Sequence, residues 1–137
     1  MSNEFVDTLS PTGTPANTST DTFAIWAEES ADLNNNSFEW AYGNGNNTPA
    51  GMGVVIPFAC ELISFCLTHE ANANTTVELW QNTSGTGQRV STSNSRKGIT
   101  NLDTPHAIAE GDVINFKTIT GSSASNGSVV TAWFRRV

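Results

Sequence analysis

Basic residues are scarce in this sequence, and its first half contains none. Of 137 residues, six are Lys or Arg and 13 are Asp or Glu, which gives a formal net charge of −7. The first basic residue is Arg89, and ten acidic residues precede it. This balance argues against nucleic acid and anionic membranes as partners. The uneven distribution leaves two readings open: a solvated acidic protein, or acidic and basic surfaces that meet between subunits.

Cysteine and long apolar runs are also scarce. Cys60 and Cys66 are the two cysteines, and they lie in one strand-like run. At ~3.3 Å per residue they would be ~20 Å apart, too far for a disulfide, so we expect buried thiols. The sequence shows no secretory signal peptide and no apolar run of roughly 18 residues. We therefore expect synthesis in the reducing cytoplasm of a cell.

No pattern of catalytic residues is recognisable. His69 and His106 have no nearby Ser or Cys in a nucleophile elbow, and His69-Glu70 reads as a surface polar pair. In Glu110-Gly111-Asp112, we expect glycine to supply a positive φ and the aspartate to bond back to the turn. There is no phosphate loop and no metal-spaced Cys/His set. The sequence predicts a protein that is not an enzyme and needs no cofactor.

One segment partly matches a calcium-binding loop. Asp32, Asn34 and Asn36 alternate as oxygen ligands would, but Ser37 replaces the expected glycine and Gly43 the closing glutamate. The segment leaves open only an adventitious cation near Asp32.

Strand- and turn-forming residues dominate what is present. Asn, Thr and Ser number 47, whereas Leu, Ile, Val and Phe number only 29. The first group favours strands and turns, and the lean apolar content suggests that association contributes to stability. We predict one all-β domain over residues 22–137, an antiparallel jelly-roll β-sandwich of about eight strands. The expected strands are 22–28, 37–42, 53–58, 61–68 and 75–81, weaker ones at 89–92, 98–100 and 106–108, and the two closing strands 113–120 and 128–137.

Residues 1–21 form a distinct segment before this domain. The segment contains two prolines and a Ser/Thr-rich stretch, which cannot support a helix or bury a core of their own. We expect an extended arm that is held by a partner. Its candidate partner-binding residues are Phe5, Val6, Leu9, Pro11 and Pro15.

The tryptophans suggest a surface with a function. Trp26 and Trp80 lie opposite the apolar neighbours on their strands, and Trp133 and Phe134 point to opposite sides of the last strand. We expect an oligomer interface that includes Trp26, Trp80, Trp133 and Arg135. Two alternatives stay open: a tryptophan can lie over polar side chains at a sheet edge, or Trp26, Trp40 or Trp80 can stack on a sugar ring.

Several stretches together resemble a known group of proteins. They are Val54 to Leu62 with its proline, Thr76 to Asn82, Ile108 to Ile114 with Glu-Gly-Asp, and the terminal Val129 to Phe134. This pattern is similar to the small jelly-roll domains of structural proteins in tailed bacteriophages, which are related in shape to trimeric tumour-necrosis-factor and C1q-like heads. Its motifs mark strands and turns, and residues 22–50 have no counterpart in it.

The resemblance implies a virion protein without enzymatic activity. Such domains serve as head decoration proteins, head fibres or tail-fibre tips, commonly as homotrimers. We expect the chain to decorate the capsid surface, to bind the major capsid protein through residues 1–21, and to stabilise the shell or aid adsorption. One rival is a carbohydrate-binding tip that recognises a host surface glycan. The other, a secreted cytokine-like or C1q-like ligand, is disfavoured by the absence of a signal peptide.

Overall fold

The described part of the chain is an antiparallel sheet of six strands. The computed structural model describes residues 21–42, 49 and 51–137. The strands are β1 (Thr22–Glu29), β2 (Val54–Val55), β3 (Cys60–Gln81), β4 (Ser84–Ile108), β5 (Val113–Thr120) and β6 (Ser128–Arg136). The order across the sheet is β1-β6-β3-β5-β2, and β4 pairs with β3. No helix occurs within these residues, and so none that could cross a lipid bilayer.

The long β3–β4 hairpin runs through both layers of the fold. Along one edge, the first half of β3 pairs with β6 and the second half pairs with β5. β4 follows the other edge, with an irregularity in register between Thr68 and Ala73. The hairpin therefore belongs to two sheets: β1, β6 and one half of the hairpin form the first, and β5, β2 and the other half form the second.

The two sheets enclose one apolar core. Phe65 of the first sheet stacks on Phe116 of the second with ring centroids 5.8 Å apart. Isolated bridges join Glu28 to Ala41 and Ser37 to Thr118, so the 33–41 segment links β1 to β5 and nearly closes the sandwich into a barrel. The largest fully buried side chains are Trp40, Phe65, Phe116, Phe134, Ile56, Leu62, Leu67 and Leu79.

The predicted all-β antiparallel sandwich is confirmed, and the described residues form six strands where about eight were expected. The expected strands at 61–68 and 75–81 are one strand, β3, and the three weak ones after Arg89 are all parts of β4. Bulges bend these strands instead of ending them. Residues 37–42 form only isolated bridges, and the strand expected at 53–58 is reduced to β2. Pro57 in that segment predicts an edge strand or a bulge, and β2 lies at the edge.

Residues 1–20 of the predicted arm lie outside the described residues. This applies to its candidate partner-binding residues Phe5, Val6, Leu9, Pro11 and Pro15. Both cysteines within the domain are free: Cys60 is buried, and Cys66 is half-buried. Burial raises the pKa of the Cys60 thiol to about 11.

Candidate interaction face

The outer surface of the first sheet carries an apolar patch in three cross-strand rows. Residues directly opposite each other in neighbouring strands point to the same face, so the pairing registers define the rows. We call this surface the outer face. Its rows are Glu28, Val129, Thr68 and Lys97; Trp26, Thr131, Cys66 and Ile99; and Ala24, Trp133, Ser64 and Asn101.

Large apolar side chains on this face remain open to solvent. Trp26 is 62% exposed, Ile99 65%, Trp133 41% and Val129 39%. The inward residues of β6 alternate with them: Phe134 is fully buried next to Trp133, as the sequence predicted. The sheet packs its other side on the core, so the exposed parts of these side chains lie outside the core packing of the protomer.

Charged groups border the patch. Glu28 and Lys97 stand at the two ends of one row, and both are exposed. Arg135 lies beyond the Trp133 row, where its guanidinium forms an ion pair with Glu61 on the neighbouring strand. Exposed apolar side chains bordered by charged groups are typical of surfaces that contact other proteins.

A shallow groove adjoins Trp26. It has a volume of about 290 Å³ and is lined by Ala24, Ile25, Trp26, Tyr42 and Val54. The Tyr42 hydroxyl donates a hydrogen bond to Asn115 Oδ1 at 2.7 Å, and burial raises the pKa of Tyr42. The groove thus presents apolar surface, with its one hydroxyl already bonded.

The other two tryptophans named from the sequence lie elsewhere. Trp40 is fully buried and donates its indole N–H to Thr118 Oγ1 at 3.0 Å, so it cannot stack on a sugar. Trp80 is on the second sheet, where the Phe38 ring packs edge-on at 4.9 Å and Lys117 Nζ lies 4.8 Å from the indole centroid. The structure therefore brings Trp26, Trp133 and Arg135 to one sheet surface and leaves Trp80 apart.

His69 is not a surface residue, contrary to expectation. Its side chain is 5% exposed, and its ring nitrogens contact Ser128 Oγ at 2.6 Å and Thr92 Oγ1 at 3.0 Å. It sits where β3 passes from one sheet to the other, so the strands on both sides supply hydroxyl partners. Burial lowers the pKa of His69. Glu70 next to it is exposed.

The oxygen-rich loop at residues 32–36 is held by hydrogen bonds to protein groups. Asp32 Oδ1 accepts from the Asn126 N–H at 2.9 Å, and Asn35 Oδ1 accepts from the Gly121 N–H at 2.7 Å. The backbone and side-chain N–H groups of Asn34 donate to the carboxylate of buried Glu39, whose pKa is raised by desolvation. The described residues contain no group of three or more His, Cys, Asp or Glu arranged to hold a metal ion.

The Glu-Gly-Asp turn has the geometry that the sequence predicted. Gly111 has a φ of +88°, and Asp112 Oδ2 accepts from the Ala109 N–H at 2.8 Å. Asp112 also accepts from the side chains of Gln81 at 2.6 Å and Asn82 at 3.1 Å, and these bonds hold its pKa below the ordinary value. The turn therefore ties β5 to the β3–β4 hairpin.

Comparisons of this chain with protein-family models and with curated proteins gave no match.

Sequence reasoning missed three residues that now stand out. Ile99 and Lys97 complete rows of the outer face, and their place depends on the register of β4 against β3. His69 could have been found, because it continues the inward series Phe65, Leu67 along β3.

Proposed function

We propose that this chain is a structural protein of a tailed-bacteriophage virion. In this proposal it decorates or projects from the capsid surface as a homo-oligomer, with the major capsid protein as its partner, and it stabilises the shell or aids adsorption. The resemblance to phage jelly-roll domains supports this role and suggests a trimer. Its synthesis would take place in the cytoplasm of the bacterial host.

The outer face is the observation that carries the proposal. A sheet whose core side is fully packed still presents Trp26, Trp133 and Ile99 to solvent. Apolar patches of this kind mark contacts with other proteins, and a virion protein repeats such contacts many times. The two-layer fold supplies a rigid platform for them.

A structural role also fits the buried polar groups. Within residues 21–42 and 51–137, His69 and Ser128 form a His–Ser contact, but both side chains are buried and the second ring nitrogen contacts Thr92. A nucleophile enclosed in this way cannot reach a substrate. These groups connect strands instead, which supports a protein without enzymatic activity.

Glycan binding is the second candidate, because the exposed Trp26 borders a groove. Sugar recognition needs polar groups beside the stacking ring. The groove is lined mainly by apolar side chains, which favours a protein contact. Titrating the protein with a glycan array while following tryptophan fluorescence separates the two: a saturable change with a defined sugar would support glycan recognition.

Binding to particles tests the virion role. The full chain and a variant lacking residues 1–21 would be mixed with undecorated capsids and sedimented together. We expect the full chain to pellet at a fixed ratio to the capsid protein and the shortened variant to remain in the supernatant. Failure of the full chain to bind rejects the virion role, and undiminished binding of the shortened variant rejects the docking role of residues 1–21.

A further inference from the structure

Charges at the two sides of the outer face are complementary. Glu28 on β1 and Lys97 on β4 belong to the same row, separated by Val129 and Thr68. Both are exposed, and neither forms an ion pair with another residue in the described ranges. Three strand-to-strand steps of about 4.8 Å place them roughly 14 Å apart, beyond the Debye length of about 8 Å at physiological ionic strength. They therefore attract each other little within one copy.

The next row repeats this arrangement with apolar groups. Trp26 lies at its β1 end and Ile99 at its β4 end, and they are the two most exposed large apolar side chains among the described residues. Each side of the face thus holds what the opposite side could bind: a carboxylate and an indole on β1, an ammonium group and an aliphatic side chain on β4.

We propose that the partner on the outer face is a second copy of this chain, with the β4 side of one copy against the β1 side of the next. Glu28 then meets Lys97 of the other copy, and Trp26 meets Ile99 in the adjacent row. The axis that relates the copies runs along the strands. Such a rotation keeps each row at its own height while it brings the β1 side of one outer face towards the β4 side of the next. Side chains make this contact, because the backbone of Glu28 is already paired with Ala41. The inference deepens the proposed function and rests on it for the assumption that copies assemble.

Charge exchange between the two positions tests this contact. Glu28→Lys places two lysines against each other, and Lys97→Glu places two glutamates, so each change should weaken association about tenfold per contact. The double variant E28K/K97E restores opposite charges and should associate as the wild type does. Sedimentation velocity over a range of concentrations measures the association. Far-UV circular dichroism checks that these surface variants keep the fold.

A matched control separates local pairing from net charge. E110K/K97E has the same formal charge as E28K/K97E, but its new lysine lies in the turn after β4. We expect it to remain as weak as K97E. Raising the ionic strength from about 0.05 M to about 0.5 M should weaken the wild type and E28K/K97E but not the single variants.

Three results would overturn the contact: a double variant as weak as the single ones, equal rescue by E110K/K97E, or a wild type that remains a single copy at every concentration. Co-sedimentation with capsids distinguishes failure of this contact from failure of the virion role. A single-copy protein that still binds capsids overturns the contact and leaves the role intact. Rescue by charge exchange without capsid binding supports the contact and rejects the role.

Discussion

Replacing Trp26 and Trp133 together by serine should leave the protomer folded and weaken its association with other copies. Both side chains point away from the core: Trp26 lies on β1 and Trp133 on the neighbouring strand β6. Their removal takes apolar surface from the proposed contact and opens no cavity inside the protein. Loss of association without loss of stability is therefore the expected signature.

The size of the effect follows from the exposed area. With about 250 Å² for a whole tryptophan side chain, the exposed fractions leave about 150 Å² on Trp26 and about 100 Å² on Trp133 in contact with water. Complete burial would contribute roughly 6 kcal/mol per copy at about 25 cal/mol per Å². A contact that covers half of this area contributes about 3 kcal/mol, or about 100-fold in Kd.

Sedimentation equilibrium of the wild type and the double variant measures this difference directly. Val55→Ser is the matched control, since Val55 is 60% exposed but lies on β2 in the other sheet. We expect the control to associate as the wild type does. Equal association of the double variant and the wild type would refute the reasoning, as would a double variant that unfolds at markedly lower denaturant concentration.

Further predictions concern stability within the protomer. Burial holds the pKa of His69 below its ordinary 6.5, so its contribution to the free energy of unfolding is present above that pH and is lost as the pH falls below it. Denaturant titrations should show that the free energy of unfolding falls by at most about 1.4 kcal/mol per pH unit because of this group. We expect this loss to be absent in His69→Gln and retained in His106→Gln. Identical pH profiles for the wild type and His69→Gln would contradict this. Asp112→Ala removes three hydrogen bonds and should cost about 1–3 kcal/mol, whereas the exposed Asp103→Ala should cost almost nothing, and equal losses would count against the turn as a structural tie. Trp40→Ala should cost about 3–5 kcal/mol in the same titrations, and a loss below about 1 kcal/mol would show that the residue is not in the core.

Alternation along short strands made much of the fold predictable. Successive side chains of a strand point to opposite faces, so the sequence assigned the opposite orientations of Trp133 and Phe134 correctly, and burial alternates along β6. Pro57 limited its strand to an edge or a bulge, because proline cannot donate to a central ladder, and β2 lies at the edge.

The length of β3 and β4 could not be read in the same way. Residues 69–74 are rich in Asn and Ala and resemble a turn, yet β3 continues through them. Its partners there are distant in sequence: Ala73 pairs with Ser95 of β4, and the N–H groups of Glu70 and Ala71 donate to Gly127 and Ser125, just before β6. Local propensity cannot distinguish a bend with distant partners from a turn.

Only part of the candidate site could be predicted from the sequence, for the same reason. Trp26 and Trp133 could be placed on an outward surface from their own strands, but their neighbours on β4 depend on register. The segment around Ile99 gave only a weak strand signal, and bulges shift its pairing with β3. Lys97 and Ile99 could therefore be assigned to the outer face only from the register of β4 against β3.

Hydroxyl-radical footprinting of the unmodified protein, read by mass spectrometry across a range of concentrations, tests most directly whether the outer face is covered in the assembled protein. We predict that oxidation of Trp26 and Trp133 falls together as the copies associate, while Met52, which is 59% exposed and lies outside these rows, keeps its reactivity. Tryptophans on this face that stay equally reactive while the copies associate would contradict the account.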